Sequence, residues 1–89
     1  MAWKIELEDS AKRELASLDT PIAKRILKFL NDRVAKLDDP RSIGDSLKGG
    51  KLGEFWKYRV GDWSIIAKIE DAEIKILVLR IGNRRDVYR

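Results

Sequence analysis

Two runs of alternating apolar and polar residues, EFWKYRV and WSIIAKI, are separated only by Gly61 and Asp62. A two-residue link of that composition turns a chain back on itself as a tight hairpin. Counting outward from the turn fixes the register: Val60 opposes Trp63, Arg59 opposes Ser64, Tyr58 opposes Ile65 and Lys57 opposes Ile66. Side chains alternate across a strand, so Trp56, Tyr58 and Val60 share one face with Trp63, Ile65 and Ala67. Lys57 and Arg59 share the other with Ser64 and Ile66. This second face is expected to be the exposed one, and it sets two cations beside a small hydroxyl.

The flanking sequence supplies the remaining elements. WKIELE alternates Trp3, Ile5 and Leu7 against Lys4, Glu6 and Glu8, as a half-buried strand does. In EDSAKRELASL the period changes: Ala11, Leu15 and Leu18 fall at helical spacing, and Asp9 or Ser10 is placed to cap the N-terminus. A second helix starts at DTP, with Thr20 as N-cap and Pro21 at the first helical position, where its missing N–H costs nothing. Ile22, Ile26, Leu30, Val34 and Leu37 mark its apolar face, and DDP stops it. Residues 40–53, PRSIGDSLKGGKLG, are the least periodic stretch and are expected to be a loop. After the hairpin, EDAE turns the chain into IKILVLRI, nearly all apolar, as a central strand covered on both faces should be. Gly82 ends it. The order β-α-α-β-β-β predicts one α+β domain over residues 1–89, an antiparallel sheet with the two N-terminal helices packed on one face.

Composition narrows the chemistry. Among 89 residues there is neither cysteine nor histidine, which excludes disulfides, thiolate metal sites and imidazole acid–base catalysis. No metal or other cofactor is expected. No apolar run is long enough for a membrane span and the N-terminus lacks the apolar stretch of a signal peptide, so a cytoplasmic protein with no membrane partner is expected. The formal charge is +4, unevenly spread: residues 1–45 hold nine Lys/Arg against nine Asp/Glu, and residues 46–89 ten against six. A basic second half suits an anionic partner. Lys57 and Arg59 repel each other on one sheet face unless an anion lies across them, although charged exposed strand faces are also common in structural roles. Tyr88 suits either a C-terminal anchor or a phenol stacked on a base. The stretch LKGGKLG is a weak phosphate-loop candidate, since its spacing is not that of a Walker loop.

The segment SLKGGKLGEFWKYRVGDWSIIAKIED, one further apolar strand and the ending LRIGNRRDVYR together resemble the RelE/ParE superfamily of bacterial toxins, most closely its RelE branch. The resemblance spans essentially the whole chain. It implies the toxin of a type II toxin–antitoxin system, an mRNA endoribonuclease that cuts message in the ribosomal A site by 2′-hydroxyl attack on the adjacent phosphate. It also implies a cognate RelB-like antitoxin, a toxin–antitoxin heterotetramer, and contact with operator DNA through the antitoxin. Carried over position by position, Lys57, Arg59, Arg84 and Tyr88 fall on the catalytic positions. Lys48, Lys51, Ser64 and Arg85 fall among RNA-binding ones.

Two positions depart from the pattern. Many relatives carry arginine where this chain has Ser64, and histidine or lysine where it has Asn83. Losing one charged phosphate contact in the transition state costs roughly 2–4 kcal/mol, or 30- to 1000-fold in rate. The resemblance therefore leaves two alternatives beside the nuclease: a ParE-type inhibitor of DNA gyrase sharing the fold, and an inactive antitoxin-binding co-repressor.

Overall fold

The computed structural model describes residues 2–46 and 55–83. Along them run β1 (Lys4–Leu7), α1 (Asp9–Ala16), α2 (Thr20–Lys28), β2 (Asp45–Ser46), β3 (Phe55–Val60), β4 (Trp63–Glu70) and β5 (Lys75–Asn83). The described strands form one sheet in the order β1-β5-β4-β3-β2. The β3–β4 hairpin has the register that its Gly61-Asp62 turn dictates, from Val60 opposite Trp63 to Phe55 opposite Lys68. Gly61 takes φ +61, the left-handed conformation that such turns require.

The sheet is mixed rather than antiparallel throughout, because β1 lies parallel to β5, with Lys4 opposite Lys75 and Leu7 opposite Val78. A parallel neighbour needs a long connection, and the two helices and the hairpin between β1 and β5 provide it. β5 is thus an interior strand over its first half, as its apolar run predicts, and it extends one residue past Gly82 to Asn83.

β1 ends at Leu7, and α1 then runs along the uncovered edge of β5. Ser10 Oγ donates to the Leu79 carbonyl at 2.8 Å, and the Ile81 N–H donates to the Glu14 carboxylate at 2.8 Å. These bonds satisfy strand backbone groups that no described strand reaches. They also explain a correction to the expected helix caps. The N-cap of α1 is Glu8, with no side-chain cap bond, and Ser10 serves a backbone carbonyl 69 residues away instead. Likewise Asp19, not Thr20, is the N-cap of α2, which puts Pro21 at the second helical position rather than the first.

The helical path of α2 continues as a widened turn, Phe29–Val34, in which the Ala35 N–H donates to the Leu30 carbonyl at 2.9 Å. Ile26, Leu30 and Val34 are spaced by four, and a straight α-helix would rotate such a series steadily off the core. A turn with five-residue hydrogen bonds reduces that drift. All three are fully buried, together with Ala11, Tyr58, Ile65, Ala67, Ile76, Val78 and Ile81. Trp3, Trp56 and Trp63 flank this core, half-buried.

Residues 40–46, expected to be part of a plain loop, carry regular structure. They contain a 3-10 turn, Pro40–Ser42, and the two-residue edge strand β2, pairing Asp45 with Lys57 and Ser46 with Trp56. Tyr58 Oη donates to the Pro40 carbonyl at 2.6 Å and Trp56 Nε1 to the Ile43 carbonyl at 2.7 Å, so β3 side chains hold the segment down. Gly44 sits at φ +83 where an added Cβ would lie 2.5 Å from the Lys57 carbonyl oxygen. Arg41 then joins the segment to the β4–β5 turn through a two-pronged bond to Asp71, at 2.8 and 3.0 Å. No described helix is long and apolar enough to cross a membrane.

Candidate functional site

Side-chain alternation gives the sheet two unlike faces. The helix-covered face holds Tyr58, Val60, Ile65, Ala67, Val78 and Ile81, all buried. On the far face, cross-strand pairing sets residues in rows: Arg59, Ser64 and Gly82 in one, Lys57, Ile66 and Arg80 in the next, Phe55, Lys68 and Leu77 beyond. Neighbours within a row stand about 5 Å apart at Cβ. Four cations, Lys57, Arg59, Lys68 and Arg80, therefore lie on three adjacent strands. A bulge in β5 between the partners of Ile66 and Ala67 keeps Arg80 on this face while returning Ile76 and Val78 to the core.

The far face is less open than alternation implies. Arg59 is exposed, but Lys57 is half-buried, Ile66 is buried and Ser64 is 1 % exposed. Ser64 is the buried polar residue of the described core, and its Oγ makes no hydrogen bond there. A hydroxyl taken from water without a partner costs roughly 1–3 kcal/mol. Gly82 on its other side carries no side chain, so Ser64 and Gly82 leave the row beside Arg59 without bulk or charge.

The cations differ in how they are held. Arg80 reaches around the strand edge to Glu14 of α1, with Nε 3.1 Å and Nη2 3.1 Å from one carboxylate oxygen, and this pairing holds its guanidinium even more firmly protonated than usual. Arg59 has no carboxylate at ion-pair distance among the described residues. At the opposite end of the same face, Lys75 is ringed by Glu73, Glu70 and Glu6 at 3.3, 3.4 and 3.7 Å. Their carboxylates raise its ammonium above the ordinary lysine value. The Glu70 Oε1 near that ammonium is buried without a well-formed hydrogen bond, so the pair is electrostatic in character. Among the described residues no group of three carboxylates is arranged to hold a metal ion.

Sequence reasoning placed Lys57, Arg59 and Ser64 on one face, and the structure sets them there, Arg59 directly opposite Ser64. Lys48, Lys51, Arg84, Arg85 and Tyr88 lie outside the described residues. The last described residue, Asn83, stands opposite Trp63, at the hairpin-turn end of the sheet, where Arg59 is. Sequence reasoning did not single out Arg80 and Lys68, although the period-two pattern of the strands would have found Lys68. Arg80 required the bulge. Arg33, on the widened turn, lines a cleft with Arg59, and no local signal announces that approach.

Residues 5–88 match the family described as ParE toxin of type II toxin-antitoxin system, parDE. The chain is similar to Toxin RelG of Mycobacterium tuberculosis, 25% identical over 89 residues, covering 100% of this chain and 99% of that one. Its fold is similar to that in the toxin-antitoxin complex RelBE2 from M. tuberculosis, with TM-score 0.83 and 20% identity over 94% of this chain and 93% of the other. A mutant of E. coli toxin RelE in the free state superimposes with TM-score 0.79 and 20% identity, over 99% and 92%. The archaeal RelE-RelB complex from Pyrococcus horikoshii gives 0.73 and 23%, over 94% and 97%.

Proposed function

This chain belongs to the ParE toxin family of type II toxin-antitoxin systems, within the RelE/ParE superfamily, and from that premise we propose that it is an mRNA endoribonuclease acting on the ribosome. The observation that carries this reading is Arg59: an exposed guanidinium without a carboxylate partner among the described residues, opposite a buried neutral hydroxyl on a sheet face that gathers three further cations. Such an arrangement is suited to a phosphodiester, whose charge relieves the repulsion among the cations.

The reaction needs no metal. The 2′-oxygen attacks the adjacent phosphorus, the bond to the 5′-oxygen breaks, and the products are a 2′,3′-cyclic phosphate and a 5′-hydroxyl. Arg59 faces the non-bridging oxygens and stabilises charge that grows in the pentavalent state. Arg84 serves the same oxygens or the leaving group, and Tyr88 stacks on the base and orients it. Lys57, on the same face as Arg59, is the proposed acceptor of the 2′-proton. With no histidine, most of the rate comes from charge stabilisation and positioning, to which the ribosome contributes.

A RelB-like antitoxin is the proposed inhibitor, in a heterotetramer that contacts operator DNA through the antitoxin; similar folds occur in toxin–antitoxin complexes from M. tuberculosis and P. horikoshii. The proposed compartment is the cytoplasm. One observation favours a second reading. Ser64 puts a neutral residue beside Arg59 in its row, which suits an inhibitor of DNA gyrase that binds without cutting. Translation in vitro with primer extension on the message separates the two. Cleavage within A-site codons, stronger with Ser64→Arg and lost with Arg84→Ala, supports the nuclease. Intact message with all three proteins, together with inhibited gyrase supercoiling, overturns it.

A further inference from the structure

β2 covers only Trp56 and Lys57 of β3, so the edge of β3 from Tyr58 to Val60 has no described strand beside it. The Lys57 carbonyl faces the β2 side, since it lies against the Cβ position of Gly44. Backbone groups alternate sides along a strand, and Arg59, two residues on, turns its N–H and C=O to that same open edge. A cleft of about 450 Å³ opens there, with Phe29, Arg33, Tyr58 and Arg59 in its lining. Neither guanidinium has a carboxylate at ion-pair distance among the described residues, although Asp45 also lines the cleft.

We propose that this cleft is a second phosphate subsite, in which Arg33 and Arg59, with the Arg59 N–H, hold a phosphodiester of the RNA strand whose scissile bond lies on the far face. Arg59 borders both places, so the strand passes from the sheet face around the open edge of β3 towards the end of the α2 path. The proposal rests on the nuclease reading for the identity of its ligand. Two arginines and a backbone donor bordering one cleft are groups that match phosphate oxygens. Asp45 weakens the site and keeps the protein from holding free phosphate tightly. The widened turn at Phe29–Val34 accounts for the placement, since it keeps Val34 in the core and Arg33 at its margin.

The test is fluorescence anisotropy with a short single-stranded 2′-O-methyl oligoribonucleotide, which cannot be cut, over a range of salt. Arg33→Ala is expected to weaken binding several-fold and to reduce the slope of log affinity against log salt by about 0.7, one single-strand phosphate contact. Asp45→Asn is expected to tighten binding, a change that a purely structural role would not give. Lys28→Ala, on the same helical path but outside the cleft, is expected to leave binding unaltered. Wild-type affinity and slope in Arg33→Ala, a wild type that does not bind the oligonucleotide, or an effect seen only on programmed ribosomes would each overturn the subsite. Failure of the nuclease reading is separate: there, ribosome-bound message stays intact while the effects of Arg33→Ala and Asp45→Asn on the oligonucleotide persist.

Discussion

Lys75 and Arg59 lie on the same face of the same sheet, near its opposite ends, and they are treated in opposite ways. Lys75 has three carboxylates within 3.7 Å, and Arg59 has none at that distance among the described residues. The ring around Lys75 joins β1, β5 and the turn before β5, so its charge is spent on holding strands together. Nothing described neutralises Arg59, and its neighbour across the hairpin is a buried hydroxyl with no hydrogen bond. A basic surface is weak evidence of function when its cations are already paired. The end of the sheet that carries Arg59 is the informative one.

The largest effect that can break this contrast is on cleavage. Arg59→Ala is expected to reduce the rate of message cleavage roughly 100- to 1000-fold, as loss of one transition-state donor does, while the melting temperature stays near wild type. Ser64→Arg is expected to raise the rate by about 30- to 1000-fold. A melting curve shows whether the buried position tolerates it. Unchanged cleavage in both variants would mean that the Arg59 end is not the reactive one.

Smaller effects concern stability. Tyr58→Phe leaves the Pro40 carbonyl without its donor and is expected to cost about 1–2 kcal/mol in urea denaturation. The same residue gives a pH dependence. Burial pushes the Tyr58 phenol well above its ordinary value, so its stabilising contribution is complete below pH ~10, where the unfolded phenol begins to ionise, and falls as pH rises beyond that. Tyr58→Phe should flatten that alkaline loss. At the acid end, the Arg41 guanidinium holds the Asp71 carboxyl below the usual carboxylate range. That contribution is present above the ordinary aspartate value and is lost as pH falls through the depressed one. Since Asp71 is exposed, the change in acid denaturation on Asp71→Asn is expected to be small. Smallest of all on activity is Lys75→Ala: a lower melting temperature with cleavage within about twofold of wild type, as for surface changes remote from a site.

The hairpin and its two faces were legible because a two-residue Gly-Asp link leaves one register, and register decides which face every side chain takes. The apolar face of α2 was legible for a similar reason, with Ile26, Leu30 and Val34 repeating. What stayed hidden depended on distant partners. Ser10 looks like a helix cap locally but donates to Leu79, and β1 turns out parallel because its partner lies 71 residues ahead, Lys4 against Lys75. β2 has two residues and no alternation, and it exists because Trp56 and Tyr58 hold the preceding segment by its carbonyls. At the site, Lys57, Arg59 and Ser64 could be grouped from alternation alone. The burial of Ser64 and the approach of Arg33 could not, since both are properties of packing rather than of period.

The most direct measurement compares Arg59→Ala with Lys75→Ala in primer extension on ribosome-bound message, at matched folded fraction. The account predicts that Arg59→Ala abolishes nearly all A-site cleavage and that Lys75→Ala cuts close to wild type. Equal loss in both, or none in either, would contradict it, because the unpaired cation would then carry no more of the function than the paired one.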